Sequence, residues 1–119
     1  MRIIIAEDER IIALGLSSLL GRLGHQVLGI CSSGEACVEL AEAEQPDVIF
    51  MDIRMDGQIN GIDAARIIRS KHDIPIVFTT AFDDDETRAL ASDIGPMAFL
   101  TKPVAGSMLK GVLASLQGC

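Results

Sequence analysis

The stretch that decides the fold is Asp47-Val48-Ile49-Phe50-Met51-Asp52, four apolar residues between two aspartates. This apolar run is too short for a helix and does not alternate with polar residues, which is typical of a strand buried on both faces. Such strands occur in parallel sheets that are covered by helices on both sides. Asp52 is therefore expected at the tip of a buried strand.

Similar short runs recur on both sides of this stretch and alternate with longer segments of helical period. This alternation is the signature of repeated βα units around a parallel sheet. The predicted strands are residues 2–6, 26–30, 47–51, 75–80 and 97–100. The predicted helices are residues 9–23, 33–44, 62–70, 84–93 and 106–116. The 119 residues suit a single hydrophobic core, so we predict one α/β domain over residues 1–119.

Two of the predicted helices differ in how many apolar residues they can pack against the sheet. The first has a full apolar stripe, formed by Ile12, Leu16, Leu19, Leu20 and Leu23, with Gly24 as a left-handed C-cap. The fourth has an apolar face of little more than Ala89, Leu90 and Ile94. We therefore expect the fourth helix to be held loosely.

The composition excludes several classes of function. Seventeen acidic against ten basic residues give a net charge of -7, which repels nucleic-acid phosphates and anionic lipids alike. The chain has no Trp or Tyr for stacking bases or flavin rings, and its apolar runs are far too short to span a membrane. Cys31, Cys37 and Cys119 do not form a metal or disulfide framework, which favours free thiols in a reducing compartment. We expect a cytoplasmic protein that binds neither nucleic acid nor membranes directly.

Polar residues follow four of the predicted strands, at the carboxyl ends where open parallel sheets bind ligands. They are Glu7 and Asp8, then Asp52, then Thr80 and Ala81, and finally Lys102 before Pro103. Two carboxylates about 4 Å apart repel by about 4 kcal/mol at an effective dielectric constant of 20, so three of them require raised pKa values or a bound cation. Oxygen ligands without His or Cys favour Mg²⁺, Mn²⁺ or Ca²⁺ over zinc, and Mg²⁺ fits this set best.

The position of Asp52 beside such a metal is that of a nucleophile, which would attack a phosphoryl group and form an acyl phosphate. Lys102 would supply a cation, and Thr80 and Ala81 would supply a hydroxyl and a backbone N–H to the phosphoryl oxygens. Thr79 is an alternative to Thr80, because a shift of one residue in the strand is easily made.

Each of these residues also has an ordinary structural interpretation. Asp52 can begin an Asx turn, and Lys102 can be a solvated surface lysine. Glu7 and Asp8 can simply favour the N-terminus of the helix that follows them. The convergence of all of them at one edge of the sheet favours a functional site.

Four motifs in this sequence resemble those of the receiver (CheY-like) domain of two-component response regulators. They are residues 5–9 (Ile-Ala-Glu-Asp-Glu), residues 47–53 (Asp-Val-Ile-Phe-Met-Asp-Ile), residues 75–81 (Pro-Ile-Val-Phe-Thr-Thr-Ala) and residues 99–103 (Phe-Leu-Thr-Lys-Pro). Their order and spacing match the family over essentially the whole chain. The resemblance implies a flavodoxin-like, doubly wound sheet of five parallel strands in the order 2-1-3-4-5, with five helices.

The resemblance also implies a role for each matching residue. Asp52 is similar to the phosphoacceptor and Lys102 to the lysine that pairs with the phosphate. Glu7 and Asp8 resemble the acidic pair that holds Mg²⁺ together with Asp52, and the backbone carbonyl of Arg54 is the remaining protein ligand in this family.

A second set of matching residues implies a conformational switch. Thr80 and Phe99 resemble the family's switch pair, in which the threonine hydroxyl turns toward the phosphoryl group and the aromatic ring swings inward. The backbone N–H of Ala81 is implied to bind a phosphoryl oxygen. Simple core packing is the alternative for Phe99.

The loop after the phosphoacceptor departs from the usual family pattern. Residues 54–61 (Arg-Met-Asp-Gly-Gln-Ile-Asn-Gly) lack the usual proline and are one residue longer, as in a subset of receivers. Arg54 and Phe82 lie where side chains modulate the access of hydrolytic water to the acyl phosphate.

The function implied is a phosphorylation-controlled switch that catalyses its own phosphorylation and dephosphorylation and is not a conventional enzyme. The expected partners are a sensor histidine kinase or histidine phosphotransfer protein, and an output protein, attached domain or second copy on the surface of the fourth helix, fifth strand and fifth helix. A phosphatase of the haloacid dehalogenase type would need a second acid where Arg54 stands. A flavodoxin-like FMN carrier would need a phosphate-binding loop after the first strand, and a degenerate receiver would lack the acidic set.

Overall fold

The computed structural model describes residues 1–55, 57–80, 85–96, 98–102 and 104–117, with residues 85–87 and 117 described by backbone alone. Five strands and five helices alternate along the chain. The strands are β1 (Arg2–Ala6), β2 (Gln26–Cys31), β3 (Val48–Asp52), β4 (Ile76–Thr80) and β5 (Ala98–Thr101). The helices are α1 (Arg10–Arg22), α2 (Gly34–Glu44), α3 (Gly61–Lys71), α4 (Asp85–Ser92) and α5 (Gly106–Gln117). None of the described helices is long and apolar enough to cross a bilayer.

The strands form one parallel sheet in the order β2-β1-β3-β4-β5, which confirms the predicted topology. Both boundaries of β3 and β5 move by one residue toward the carboxyl end of the chain, while β2 ends and β4 begins one residue later than predicted. Asp52 is consequently the last residue of β3, where it pairs with Thr79 of β4, and does not follow the strand as expected. This pairing holds the backbone of Asp52 within the sheet. The predicted first residue of β5, Met97, lies outside the described residues.

The sheet carries one hydrophobic core on each face. One core contains Met51 and Phe78 and packs against α2, α3 and α4. The other contains Phe50 and packs against α1 and α5, with Leu20 and Leu109 fully buried. The core residues of strands β1, β3 and β4 are almost entirely buried, as the uninterrupted apolar runs predicted.

The predicted apolar face of α1 is confirmed except at one residue, whereas that of α4 is only partly confirmed. In α1, Leu20 is fully buried, and the predicted Leu16, Leu19 and Leu23 pack against the same core. The exception is Ile12, which is 37% exposed, while the small Ala13 is buried against the sheet. In α4 the buried residue is Ala91, whereas Ala89 is exposed and Leu90 is 53% exposed. The expectation that α4 contributes few buried contacts is confirmed for its described side chains.

Several local predictions are confirmed. Gly24 follows α1 with a φ of +90°, and Asn60 caps α3 by accepting the Asp63 N–H at 2.9 Å. Cys31 and Cys37 are buried free thiols, and Cys119 lies outside the described residues.

Candidate functional site

The loop after β1 and the tip of β3 bring three carboxylates together. Each of Glu7, Asp8 and Asp52 offers a carboxylate oxygen, and these oxygens lie within 4.8 Å of one another. The backbone of Glu7 is fixed because its N–H donates to the carbonyl oxygen of Cys31 at 2.8 Å. Its Oε2 accepts the N–H of Glu9 at 3.1 Å, so the side chain is fixed as well. The predicted juxtaposition of three acidic residues is present.

Asp52 is 5% exposed and is held at both its backbone and its carboxylate. The N–H of Arg54 donates to Oδ1 of Asp52 at 3.3 Å, as in an Asx turn. A Cβ at Gly61 would overlap the carbonyl oxygen of Asp52, so the loop can return to the strand this closely only with glycine there. The structural interpretation of Asp52 as the start of an Asx turn is therefore present, and it leaves Oδ2 facing Lys102.

Lys102 follows β5 and reaches back over the acidic residues. Its Nζ forms an ion pair with Oε1 of Glu7 and lies 3.2 Å from Oδ2 of Asp52. Its N–H donates to the carbonyl oxygen of Thr80 at 2.8 Å, which fixes where the side chain begins. Only 12% of the side chain is exposed, so the alternative of a solvated surface lysine is excluded.

These contacts push the pKa values of the two buried acids apart. Burial and the neighbouring charge of Glu7 raise the pKa of Asp52 to about 7, which the Lys102 cation offsets only in part. Burial also acts to raise the pKa of Glu7, but hydrogen bonds from Lys102, the Glu9 backbone and Asp52 outweigh it, so the pKa is lowered. Burial disfavours the charged form of Lys102, yet its carboxylate partners keep its pKa above the usual value. Without a metal, a proton on Asp52 and the ammonium of Lys102 reduce the negative charge of the site.

The donor set fits a hard divalent cation. Carboxylates from Glu7, Asp8 and Asp52 provide oxygen ligands, and burial together with the charge of Glu7 disfavours ionised Asp52 unless a cation is bound. These three carboxylates suit a small cation that binds few protein oxygens and keeps water or phosphate in its other coordination positions. Mg²⁺ has that preference.

The two threonines at the end of β4 lie on opposite faces of the sheet. Thr79 lines a groove of about 580 Å³ that Glu7, Lys102 and α1 also border. Thr80 lies on the face of Phe78, whose strand partner is Phe99. Thr80 is therefore the threonine on the side of the predicted switch partner, and it is 7% exposed.

Phe99 packs between the sheet and α4. Its ring stacks on Phe78 with the ring centroids 5.8 Å apart, and the guanidinium carbon of Arg88 lies 5.0 Å from the centroid of Phe99. Core packing of Phe99 is thus present, together with a contact to α4. Arg88 was missed by the sequence analysis, because a cation–π contact between separate elements has no local sequence signal.

Three residues named from the sequence, Ala81, Phe82 and Pro103, lie outside the described residues. Arg54 is described, and it touches Asp52 through its N–H. The sequence analysis also missed Glu35, whose carboxylate contacts the loop after β3. Glu35 was missed because no sequence motif links it to Asp52 or to the loop that follows.

The chain matches the family model for the response regulator receiver domain over residues 3–114. It is 43% identical over 108 residues to the transcriptional regulatory protein PdtaR of Mycobacterium tuberculosis, covering 91% of this chain and 52% of PdtaR. It is 36% identical over 121 residues to protein PilH of Pseudomonas aeruginosa, covering 98% of each chain. It thus spans about half the length of PdtaR and nearly all of PilH.

Solved structures give the same result. The signal receiver domain of a modulated diguanylate cyclase from Desulfovibrio desulfuricans G20 superposes with a TM-score of 0.91 at 33% identity, covering 97% of this chain and 91% of that chain. The signal receiver domain of the putative response regulator NarL from Mycobacterium tuberculosis superposes with a TM-score of 0.90 at 28% identity, covering 99% of this chain and 97% of that chain. Sequence and fold agree, and the chain belongs to the response regulator receiver domain family.

Proposed function

We propose that this receiver domain takes a phosphoryl group onto the carboxylate of Asp52 in a reaction that depends on Mg²⁺. The observation that carries the proposal is the environment of Asp52. Its carboxylate lies at the tip of a buried strand, with oxygens of Glu7 and Asp8 within 4.8 Å and the Lys102 ammonium at 3.2 Å. A nucleophile fixed by the sheet, a set of metal ligands and a nearby cation are the parts that phosphoryl transfer to a carboxylate needs.

In the proposed reaction, a carboxylate oxygen of Asp52 attacks phosphorus and forms a P–O bond. The P–N bond of a phosphohistidine breaks, its electron pair stays on the imidazole nitrogen, and that nitrogen takes up a proton. Asp52 must lose its own proton first, because only the carboxylate has a lone pair free to attack. Bound Mg²⁺, held by Glu7, Asp8, Asp52 and the Arg54 carbonyl, would supply positive charge to the phosphoryl oxygens.

Lys102 and Thr80 have separate roles in this proposal. The ammonium of Lys102 exchanges its contacts with Glu7 and Asp52 for a phosphoryl oxygen, which keeps the buried charges paired. The hydroxyl of Thr80 and the backbone N–H of Ala81 donate to the remaining oxygens. Water that attacks the acyl phosphate regenerates Asp52, so the same residues serve dephosphorylation.

The groove beside Glu7 and Lys102 suggests where the phosphodonor docks. It runs along α1 from Glu7 and Lys102, and its apolar wall includes Ile11, which is 87% exposed, and Leu16. A histidine kinase or histidine phosphotransfer protein seated on this wall would bring its phosphohistidine to Asp52. Exposed apolar surface of this kind is typical of interaction sites. A cytoplasmic location, where such donors are found, is part of the proposal.

The output surface is proposed at α4, β5 and α5, where α4 lies on the sheet face opposite the groove. Phosphorylation draws Thr80 toward the phosphoryl group, Phe99 follows, and the contact of Phe99 with Arg88 passes the change to α4. A protein partner, an attached output domain or a second copy of the chain would bind the altered surface.

Incubation with acetyl phosphate, a small acyl phosphate, tests the proposed function. The chain should gain one phosphoryl group when Mg²⁺ is present and none in EDTA, and hydroxylamine should remove it, since hydroxylamine cleaves acyl phosphates. Asp52→Asn should take up none. A chain that stays unmodified with a competent donor and Mg²⁺ would be a degenerate receiver that retains the fold alone.

A further inference from the structure

Helix α2 contacts residues 57–59 of the unusual loop between β3 and α3. Glu35 lies in the first turn of α2, and its Oε1 accepts the N–H of Ile59 at 2.8 Å. A Cβ at Gly57 would lie 2.7 Å from Oε2 of Glu35, so this carboxylate rests directly on the loop backbone. The φ of +115° at Gly57 also favours glycine there. One side chain therefore touches the loop at two separate points.

The support behind Glu35 is rigid. Ser33 caps α2 by accepting the N–H of Ala36 at 3.2 Å. A Cβ at Gly34 would lie 2.9 Å from the carbonyl oxygen of Ile59, so the start of α2 packs on the loop backbone. Hydrogen bonds from the N–H of Ile59, and further ones from the Gln58 backbone and the Ser33 hydroxyl, lower the pKa of Glu35 against the effect of desolvation. Glu35 is consequently ionised at neutral pH, which strengthens its hydrogen bonds to the loop.

Both ends of the β3–α3 loop contact Asp52. At its start, the N–H of Arg54 donates to Oδ1 of Asp52 at 3.3 Å. At its end, the N–H of Gly61 donates to the carbonyl oxygen of Ile53 at 2.9 Å, and Gly61 packs on the carbonyl of Asp52. Contacts at both ends of the loop thus connect it to Asp52. The loop has no proline of its own to limit such a shift.

We propose that Glu35 is a positioning residue for the phosphoacceptor site: by holding residues 57–59 of the β3–α3 loop against α2 it orients the Asp52 carboxylate toward Glu7 and Asp8 and sets the affinity for Mg²⁺. This inference rests on the proposed function. Glu35 acts through the backbone of Ile59 and Arg54 and makes no contact with the reacting atoms. Residues that orient metal ligands from behind typically change metal affinity by about tenfold or more.

The test compares Glu35→Ala, Glu35→Gln and the matched control Glu39→Ala, which alters an exposed glutamate on the same helix. A Mg²⁺ titration followed by amide NMR, without any phosphodonor, should give a dissociation constant about tenfold higher for Glu35→Ala. Glu39→Ala should bind Mg²⁺ as the wild type does. Glu35→Gln should recover most of the affinity, because its amide oxygen still accepts the N–H of Ile59.

Phosphorylation by acetyl phosphate at varied Mg²⁺ gives the second readout. Glu35→Ala should raise the half-saturating Mg²⁺ by the same factor and leave the rate at saturating Mg²⁺ nearly unchanged. A general loss of structure would lower the maximal rate too. Amide exchange at Ile59 should become faster in Glu35→Ala, which checks that the contact with the loop is lost.

The proposal is overturned if Glu35→Ala frees the Ile59 amide and yet binds Mg²⁺ like the wild type. If Glu35→Ala does not fold, Glu35→Asp replaces it, since the shorter side chain withdraws the carboxylate from Ile59 and should also weaken Mg²⁺ binding. Unchanged affinity in folded Glu35→Asp would then overturn the proposal. A wild type that takes up no phosphoryl group would overturn the proposed function, while the Mg²⁺ titration still decides the role of Glu35.

Discussion

Asp52 lies 5% exposed beside the charge of Glu7, and the pKa of its carboxyl is raised from 3.8 to about 7 by burial first and by Glu7 second. A buried acid with a raised pKa is destabilising when it is ionised, so the site stores free energy that a bound cation can release. Lys102 relieves part of this cost in the metal-free protein. The sequence predicted that these charges meet, since all follow strands of one parallel sheet. The size and direction of the individual pKa shifts depend on distances and burial, which the sequence does not contain.

The raised pKa of Asp52 predicts how the metal-free protein responds to pH. The folded state retains this proton up to about pH 7 whereas the unfolded state releases it near pH 3.8, so the contribution to the free energy of unfolding is full below pH 3.8 and is lost as pH rises through 7. Asp52→Asn removes this dependence. At pH 8 in EDTA we expect it to be about 2 kcal/mol more stable than the wild type, roughly half the full linkage value, because Lys102 and solvent screen the charge.

Urea denaturation followed by circular dichroism at pH 5 and pH 8 measures this difference. The advantage of Asp52→Asn should be larger at pH 8 than at pH 5. An advantage that is equal at both pH values would show that Asp52 ionises with an ordinary pKa.

At the scale of the elements, the β3–α3 loop shows what local sequence can and cannot predict. The cap at Asn60 was predicted because an asparagine before a helix has a local role. The contact of Glu35 with Ile59 was not predicted, because it joins residues from two different βα units. The burial of Ala13 in α1 and of Ala91 in α4 was missed for a related reason: small side chains allow close approach to the sheet, which hydrophobicity alone does not indicate.

Two glycine substitutions separate close packing from helix propensity. Gly61→Ala should lower the free energy of unfolding by roughly 2–4 kcal/mol, because the new Cβ overlaps the carbonyl of Asp52 and the loop must move. Gly111→Ala, in α5, meets nothing within 4 Å and should raise it by about 0.5–1 kcal/mol. Urea denaturation of both variants measures these changes in the free energy of unfolding. Similar changes in the two variants would argue against the close approach at Gly61.

The thin apolar face of α4 predicts a change that spreads from the site. Few buried contacts leave a small free-energy difference between alternative packings, which new hydrogen bonds from Thr80 and Lys102 to a phosphoryl group can overturn. Beryllofluoride, a mimic of the phosphoryl group, should therefore shift the amide NMR signals of α4 and β5 as well as those near Asp52. Thr80→Ala should still be phosphorylated but show smaller shifts in α4.

A second variant tests the path of that change. Arg88→Ala removes the contact with the Phe99 ring and should also reduce the shifts in α4 while leaving those at Asp52 intact. Shifts that stop beside Asp52 in the wild type would describe a phosphate relay without a conformational output.

At the scale of the whole molecule, the topology explains why the site could be predicted from so short a sequence. In a parallel sheet the carboxyl ends of β1, β3, β4 and β5 share one edge, so residues far apart in the chain meet there. The groove along α1 and the surface at α4 and β5 lie on different faces of that sheet. A phosphodonor and an output partner would therefore contact different sides of the domain, with Asp52 between them.

The central claim is that Asp52 is the residue that carries the phosphoryl group. The most direct measurement is borohydride reduction of the protein after incubation with acetyl phosphate and Mg²⁺, followed by peptide mass spectrometry, since borohydride converts an aspartyl phosphate into homoserine. We predict homoserine at position 52, none in the presence of EDTA, and none in Asp52→Asn. Homoserine at another aspartate, or a stable phosphate on a serine or threonine with position 52 unchanged, would contradict the account.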